Sequence, residues 1–286
     1  MSYADLPPPP SGEPEPLEPS PAPSLPEAVP APRVPEDLRA PWSGIDLLIF
    51  AMYCLGMLVL LTNALAALAV QRFGVPESQI AHFSTANAGF IVCRQVLWFL
   101  SMLFYFYALL RRRISESFWR ALGWRGLQLR PLAAPLLALI FLLGGCVLAI
   151  VADAASEFYT TQKQLPIQAL FTDRRGVLFL MAYGILVAPL AEETLFRGIV
   201  YPVLARKFGI FAGITVTGIL FGLAHALQLW GGWGQIVTLV AVGMALTAAR
   251  AAMGSVAASY LLHLGYNSFL FGGFWFATDA LRHLPK

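Results

Sequence analysis

Glu192 and Glu193 stand side by side in a stretch that otherwise reads as membrane helix. Sixteen uncharged residues, Gly176 to Ala191, precede them, and Arg197 follows one turn later. A charge inside a span costs about 3 kcal/mol on insertion scales, so such groups mark functional sites by default. On a helix, Glu193 and Arg197 are four apart and can pair across one turn. Glu192 is rotated by about 100° and points elsewhere. One carboxylate is neutralised and its neighbour is left free for chemistry. Two further apolar runs carry polar groups at matching spacing. Phe221 and His225 share one helical face, as do His263 and Asn267, with Gly265 between the latter pair permitting close approach. Glu192, His225 and His263 could supply two imidazoles and a carboxylate to a zinc ion, leaving a fourth position for water. No HExxH is present, and the three residues come from three separate apolar runs, so chemistry with and without a metal both remain open.

The chain that must position these groups has 286 residues, 58 % of them apolar and 12 % charged, with a mean hydropathy of +0.67. Soluble domains carry roughly twice that share of charge. The expected fold class is therefore all-α: a polytopic transmembrane bundle of seven or eight helices enclosing an intramembrane polar site. Taking about 20 apolar residues per crossing, the spans are expected at 45–70, 88–110, 131–152, 176–198, 208–229, 235–250 and 254–277. A break at Pro189 or Pro202 would add an eighth. Glu192, His225 and His263 lie at similar distances along their helices from cytoplasmic charges, so they could share one layer. Cys54, Cys93 and Cys146 fall in separate apolar runs and read as small packing residues. Arg94, alone in the second span, is a candidate partner for a carboxylate.

Residues 1–42 hold fourteen of the 21 prolines and a charge balance of −5, and are expected to form a disordered, extended tail. The transmembrane domain then runs over 43–286. Its charge of +8 is concentrated in loops. Arg111, Arg112, Arg113, Arg120, Arg125 and Arg130 face only Glu116 after the second span, which marks that loop as cytoplasmic. Alternation places the tail inside the cell, and Arg206, Lys207 and Arg250 agree. Arg174 and Arg175 dissent. Trp42, Trp119, Trp124, Trp230 and Trp233 are expected at the membrane interfaces. The positive charge implies contact with lipid headgroups and gives no sign of nucleic acid.

Taken together, Glu192-Glu193-Thr194-Leu195-Phe196-Arg197, Phe221-Gly222-Leu223-Ala224-His225 and His263-Leu264-Gly265-Tyr266-Asn267 resemble the EExxxR, FxxxH and HxxxN motifs of the CPBP (Abi) family of intramembrane proteases. That family includes the type II CAAX prenyl endopeptidases. The resemblance covers about 176–277, a protease-like core, and leaves out the tail. It implies hydrolysis of a peptide bond in a membrane-embedded or prenylated substrate, in an integral protein of the bacterial cytoplasmic membrane. It further implies that Glu192 and His225 activate a water and that His263 and Asn267 steady the oxyanion. Glu193, Arg197 and Phe221 would hold the site's shape. A proton-coupled transporter, or a non-enzymatic scaffold or bacteriocin-immunity protein, are the alternatives.

Overall fold

The computed structural model describes residues 35, 38–127, 133–157, 170–171 and 173–284. Their regular elements are all helical. They comprise α1 (Gly44–Phe73), α2 (Ile80–Ala86), α3 (Ala88–Leu110), α4 (Phe118–Ala121), α5 (Ala133–Glu157), α6 (Arg174–Phe208), α7 (Ile210–Ala224), α8 (Trp233–Met253) and α9 (Val256–Ala277). A short 3₁₀ turn, Glu77–Gln79, precedes α2. Five of the helices, α1, α3, α5, α6 and α8, are long and apolar enough to cross a membrane. This is fewer than the seven or eight crossings expected. The fifth expected span shrinks to α7, at 15 residues. The seventh, α9, has 22 residues but is diluted by His263, Tyr266 and Asn267. No break occurs at Pro189 or Pro202, because α6 runs through both for 35 residues. The expected proline-rich tail lies, up to residue 37 and Pro35 apart, outside the described residues, as do Arg130 and the start of the expected third span.

The helix ends follow local chemistry. Ser43 caps α1 in a reciprocal box: its backbone N–H donates to Asp46 Oδ2 at 2.8 Å, and its hydroxyl accepts from the Asp46 N–H. Gly74 closes that helix in the left-handed region at φ 64°. Asn87 caps α3 by accepting from the Phe90 N–H at 2.9 Å.

Packing follows the distribution of small residues. A Cβ on Gly145 of α5 would lie 2.0 Å from the Leu262 carbonyl oxygen, and one on Gly265 of α9 would lie 2.0 Å from that of Leu142. The two helices thus touch backbone to backbone, which in lipid is a main source of helix association. Gly218 and Gly222 let α7 approach α8 in the same way. On the other side, Phe50 and Cys54 of α1 pack against Phe99, Met102 and Phe106 of α3. Leucines along α1 and α5, such as Leu48, Leu55, Leu139 and Leu143, remain exposed, as lipid-facing side chains would be.

Two expectations near the membrane edge are corrected. Leu38 and Trp42, assigned to the tail, are 4 % and 3 % exposed and belong to the packed bundle. The Trp42 indole donates to the Ile199 carbonyl at 2.9 Å and the Trp124 indole to Thr194 Oγ1 at 3.1 Å, so both rings face protein instead of headgroups. Arg250, expected at the cytoplasmic end of the sixth span, is fully buried in the last turn of α8, with its guanidinium 5.8 Å from the Tyr201 ring.

Candidate active site

The site begins with an irregular helix. Within α6, Tyr183–Val187 and Thr194–Val200 are wound as π-helix, and the short α-helical stretch Ala188–Glu193 between them carries both glutamates. Each π segment lies just ahead of a proline. A mid-helix proline lacks an N–H and collides with the carbonyl four residues back. The wider turn relieves both problems, and such turns recur at functional sites. At Pro189 it has a further consequence. The Ala188 N–H reaches back five residues to the Tyr183 carbonyl, so in this register the Gly184 carbonyl meets Pro189 and finds no donor. Asn267 fills the gap, its Nδ2 donating to Gly184 O at 2.7 Å. One amide hydrogen anchors the side chain, and the second stays available to the cavity that Asn267 lines.

His225 is held by similar means. It is the C-terminal cap of α7, and its backbone N–H bonds the Gly222 carbonyl at 3.1 Å. The Phe221 carbonyl is thereby released, and His225 Nδ1 donates to it at 2.9 Å. This explains the four-residue spacing. It also defines the ring, because a carbonyl only accepts. Nδ1 carries the proton, and in the neutral imidazole Nε2 presents a lone pair. The Phe221 ring, 1 % exposed, lies 4.9 Å from the His225 ring, 5.7 Å from that of His263 and 4.7 Å from the Arg197 guanidinium.

Beneath these rings is a fully buried ion pair. Arg197 Nη1 donates to Glu193 Oε1 at 2.8 Å, Nε to Thr247 Oγ1 at 3.1 Å and Nη2 to the Gly243 carbonyl at 2.7 Å. Glu193 Oε1 also accepts from His263 Nδ1 at 2.8 Å. The pair therefore fixes the second imidazole, again with Nε2 turned away. A buried charge needs partners for its remaining polar atoms, and α8 supplies those of Arg197 through Gly243 and Thr247. Sequence reasoning did not single out those two residues. Their spacing, a small and a polar residue one turn apart in a span, was the available signal.

Both free nitrogens approach Glu192. His225 Nε2 lies 3.8 Å from Oε1, and His263 Nε2 lies 3.8 Å from Oε2. Those separations are too long for a direct hydrogen bond. Two lone pairs and a carboxylate thus converge with no donor among them, an arrangement that a water molecule complements with its two hydrogens. Glu192 and His225 are partly exposed, at 26 % and 22 % of their side chains, while His263 is buried. They line a cavity of about 400 Å³ together with Phe221, Tyr266 and Asn267.

Among the described residues, no group of three or more His, Cys, Asp or Glu side chains is placed to hold a metal ion. Asp153 also lines the cavity. It escaped notice in the sequence because the third span was expected to end at residue 152, whereas α5 continues to Glu157. Arg94, in contrast, is not among the lining residues, and the described lining includes no Lys or Arg.

No curated protein and no solved structure matches the chain. A family model does, running from the start of α6 to residue 269 within α9 and leaving α1 to α5 outside. Residues 174–269, which supply Glu192, Glu193, Arg197, Phe221, His225, His263 and Asn267, match the protease family described as Type II CAAX prenyl endopeptidase Rce1-like.

Proposed function

We propose that the protein is an intramembrane endopeptidase in which Glu192 is the general base. The observation that carries this reading is the approach of two imidazole Nε2 atoms, each 3.8 Å away, to opposite oxygens of one carboxylate. A water held there gives one hydrogen to Glu192 and the other to His225 Nε2. As Glu192 takes its proton, the water oxygen attacks the scissile carbonyl carbon. The free amide hydrogen of Asn267 donates to the resulting oxyanion, and so does His263 Nε2 when protonated. The carbon–nitrogen bond then breaks, and the proton on Glu192 passes to the departing amine. Glu193, Arg197, Thr247 and Phe221 touch no reacting atom in this scheme and act as positioning residues.

The family match supports a CAAX-type, lipid-modified peptide as one substrate class, and it favours neither the transporter nor the scaffold alternative. For topology, the reading is seven crossings, with α7 and α9 completing the set. The close backbone contacts of α9 with α5 and of α7 with α8 support this, since both hold the shorter or more polar helix against one long enough to span. On this reading the arginine-rich loop between α3 and α5, and the N-terminal side of α1, are cytoplasmic, as the tendency of such loops to stay inside favours.

The test is cleavage in proteoliposomes, backed by membrane proteomics of a strain carrying Glu192→Gln. Wild type is expected to release fragments that the variant does not, and the uncut substrate should accumulate in the variant strain. Equal cleavage by both proteins would sink the assignment.

A further inference from the structure

The cavity is placed unevenly along the helices that form it. Consecutive spanning helices alternate in direction, so the described ends sort into two faces. On one face lie Arg111, Arg112, Arg113, Arg120 and Arg125 between α3 and α5, with Arg206 and Lys207 at the end of α6, against the more scattered Arg72, Arg174, Arg175 and Arg282 on the other. The cavity draws on the opposite ends. It uses Ile91 and Gln95 from the start of α3, Asp153 and Ser156 from the end of α5, and Gln228 and Gln235 from the α7–α8 connection and first turn of α8. Asp153 and Gln228 are exposed and form its mouth.

Toward the arginine face the site is closed. Leu122, Leu246, Thr247, Arg250 and Val256 are each 0 % exposed, and Tyr201 is 1 % exposed. The loop after α4 is fastened across this floor. The Gly123 carbonyl accepts from the Val256 N–H at 2.9 Å, the Arg125 carbonyl accepts from the Ser255 hydroxyl, and the Trp124 indole donates to Thr194. A polypeptide approaching from that side would have to break these contacts, whereas from the other it meets a mouth that is open among the described residues.

From this asymmetry, and from the retention of arginine-rich loops in the cytoplasm, we infer that the Glu192 centre is reached from the non-cytoplasmic face. The segment it cuts accordingly belongs to an exported, membrane-anchored polypeptide whose scissile region is displayed on that side. The route of access stands on geometry and charge alone, while the cutting rests on the hydrolytic reading above.

The experiment labels single cysteines with a membrane-impermeant maleimide in intact cells. The full-length chain is used, with Cys54, Cys93 and Cys146 replaced. Gln228→Cys and Asp153→Cys report on the mouth, and Arg112→Cys reports on the arginine loop. Labelling after detergent solubilisation confirms that each variant is folded and reactive, and the two mouth positions back one another up. Both mouth cysteines are expected to label in intact cells close to their solubilised level, and Arg112→Cys only after permeabilisation. Labelling of Arg112→Cys in intact cells, or protection of both mouth cysteines until permeabilisation, would overturn the inference. Since labelling needs no activity, an inactive but externally labelled protein would refute the protease reading and leave the access route standing.

Discussion

Adjacent glutamates, given the same nearly isosteric change, should fail in opposite ways. Glu193 is fully buried, and one of its oxygens accepts two hydrogen bonds of 2.8 Å, from Arg197 and from His263. Glu193→Gln removes the charge that pairs directly with the buried Arg197 guanidinium. Breaking a buried pair in this way costs on the order of 3–5 kcal/mol, because the remaining charge is left without compensation. In a chain of this size that corresponds to a fall of roughly 6–20 °C in unfolding temperature. Glu192 is a quarter exposed, and both imidazole nitrogens stand 3.8 Å away, so Glu192→Gln gives up no direct hydrogen bond to them. It should unfold close to wild type and lose catalysis by roughly a hundred- to ten-thousand-fold, the usual worth of a general base. Thermal unfolding in detergent micelles and peptide cleavage in the same preparations measure the two effects. Pairing Glu193→Gln with Arg197→Met should restore part of the lost stability, since an apolar replacement of both charges is often neutral. If Glu192→Gln is destabilised as much as Glu193→Gln, or retains wild-type turnover, the division of labour between the two carboxylates is wrong.

Pro189→Ala returns an N–H to the Gly184 carbonyl and should release Asn267; unfolding is expected at a higher temperature, as proline is about 3 kcal/mol worse than alanine within a helix, while turnover falls, and a variant that gains stability with unchanged turnover would refute the link. Gly265→Ala places a methyl 2.0 Å from the Leu142 carbonyl oxygen; α5 and α9 must separate, and the variant should be recovered from the membrane in clearly lower yield than a control such as Gly56→Ala, whose added Cβ meets nothing within 4 Å. Chelation with EDTA should leave cleavage intact, and stoichiometric zinc whose removal abolishes activity would instead assign Glu192, His225 and His263 as ligands. Asp153, at a mouth whose described residues include no Lys or Arg, should favour substrates with a basic flank over an acidic one by about fivefold or less, the scale of an exposed ion pair, and Asp153→Asn should erase the preference.

Much of the site was legible along the chain because hydrocarbon makes polar residues conspicuous. A Glu, a His or an Asn within an apolar run has few bland explanations, so Glu192, Glu193, Arg197, His225, His263 and Asn267 could be picked out by type and spacing. The pairing of Glu193 with Arg197 followed from a one-turn separation, and the divergence of Glu192 from the angle between neighbouring residues. All-helical architecture followed from composition, because a backbone without water must satisfy itself. The number of crossings was less secure: hydropathy treats the polar α9 and the short α7 alike as spans, without regard to what they pack against.

Tertiary structure decided what those residues touch. That His263 donates Nδ1 to Glu193, and so turns Nε2 toward Glu192, depends on α6 and α9 meeting at one height. Thr247 and Gly243 became part of the site only when α8 came to lie against Arg197. Asn267 found its anchor because a π turn and a proline together stranded the Gly184 carbonyl. In each case the physical reason is the same. A side chain's type is written locally, but hydrogen bonds between residues 46 to 83 positions apart exist only where helix packing brings donor and acceptor within 3 Å or so.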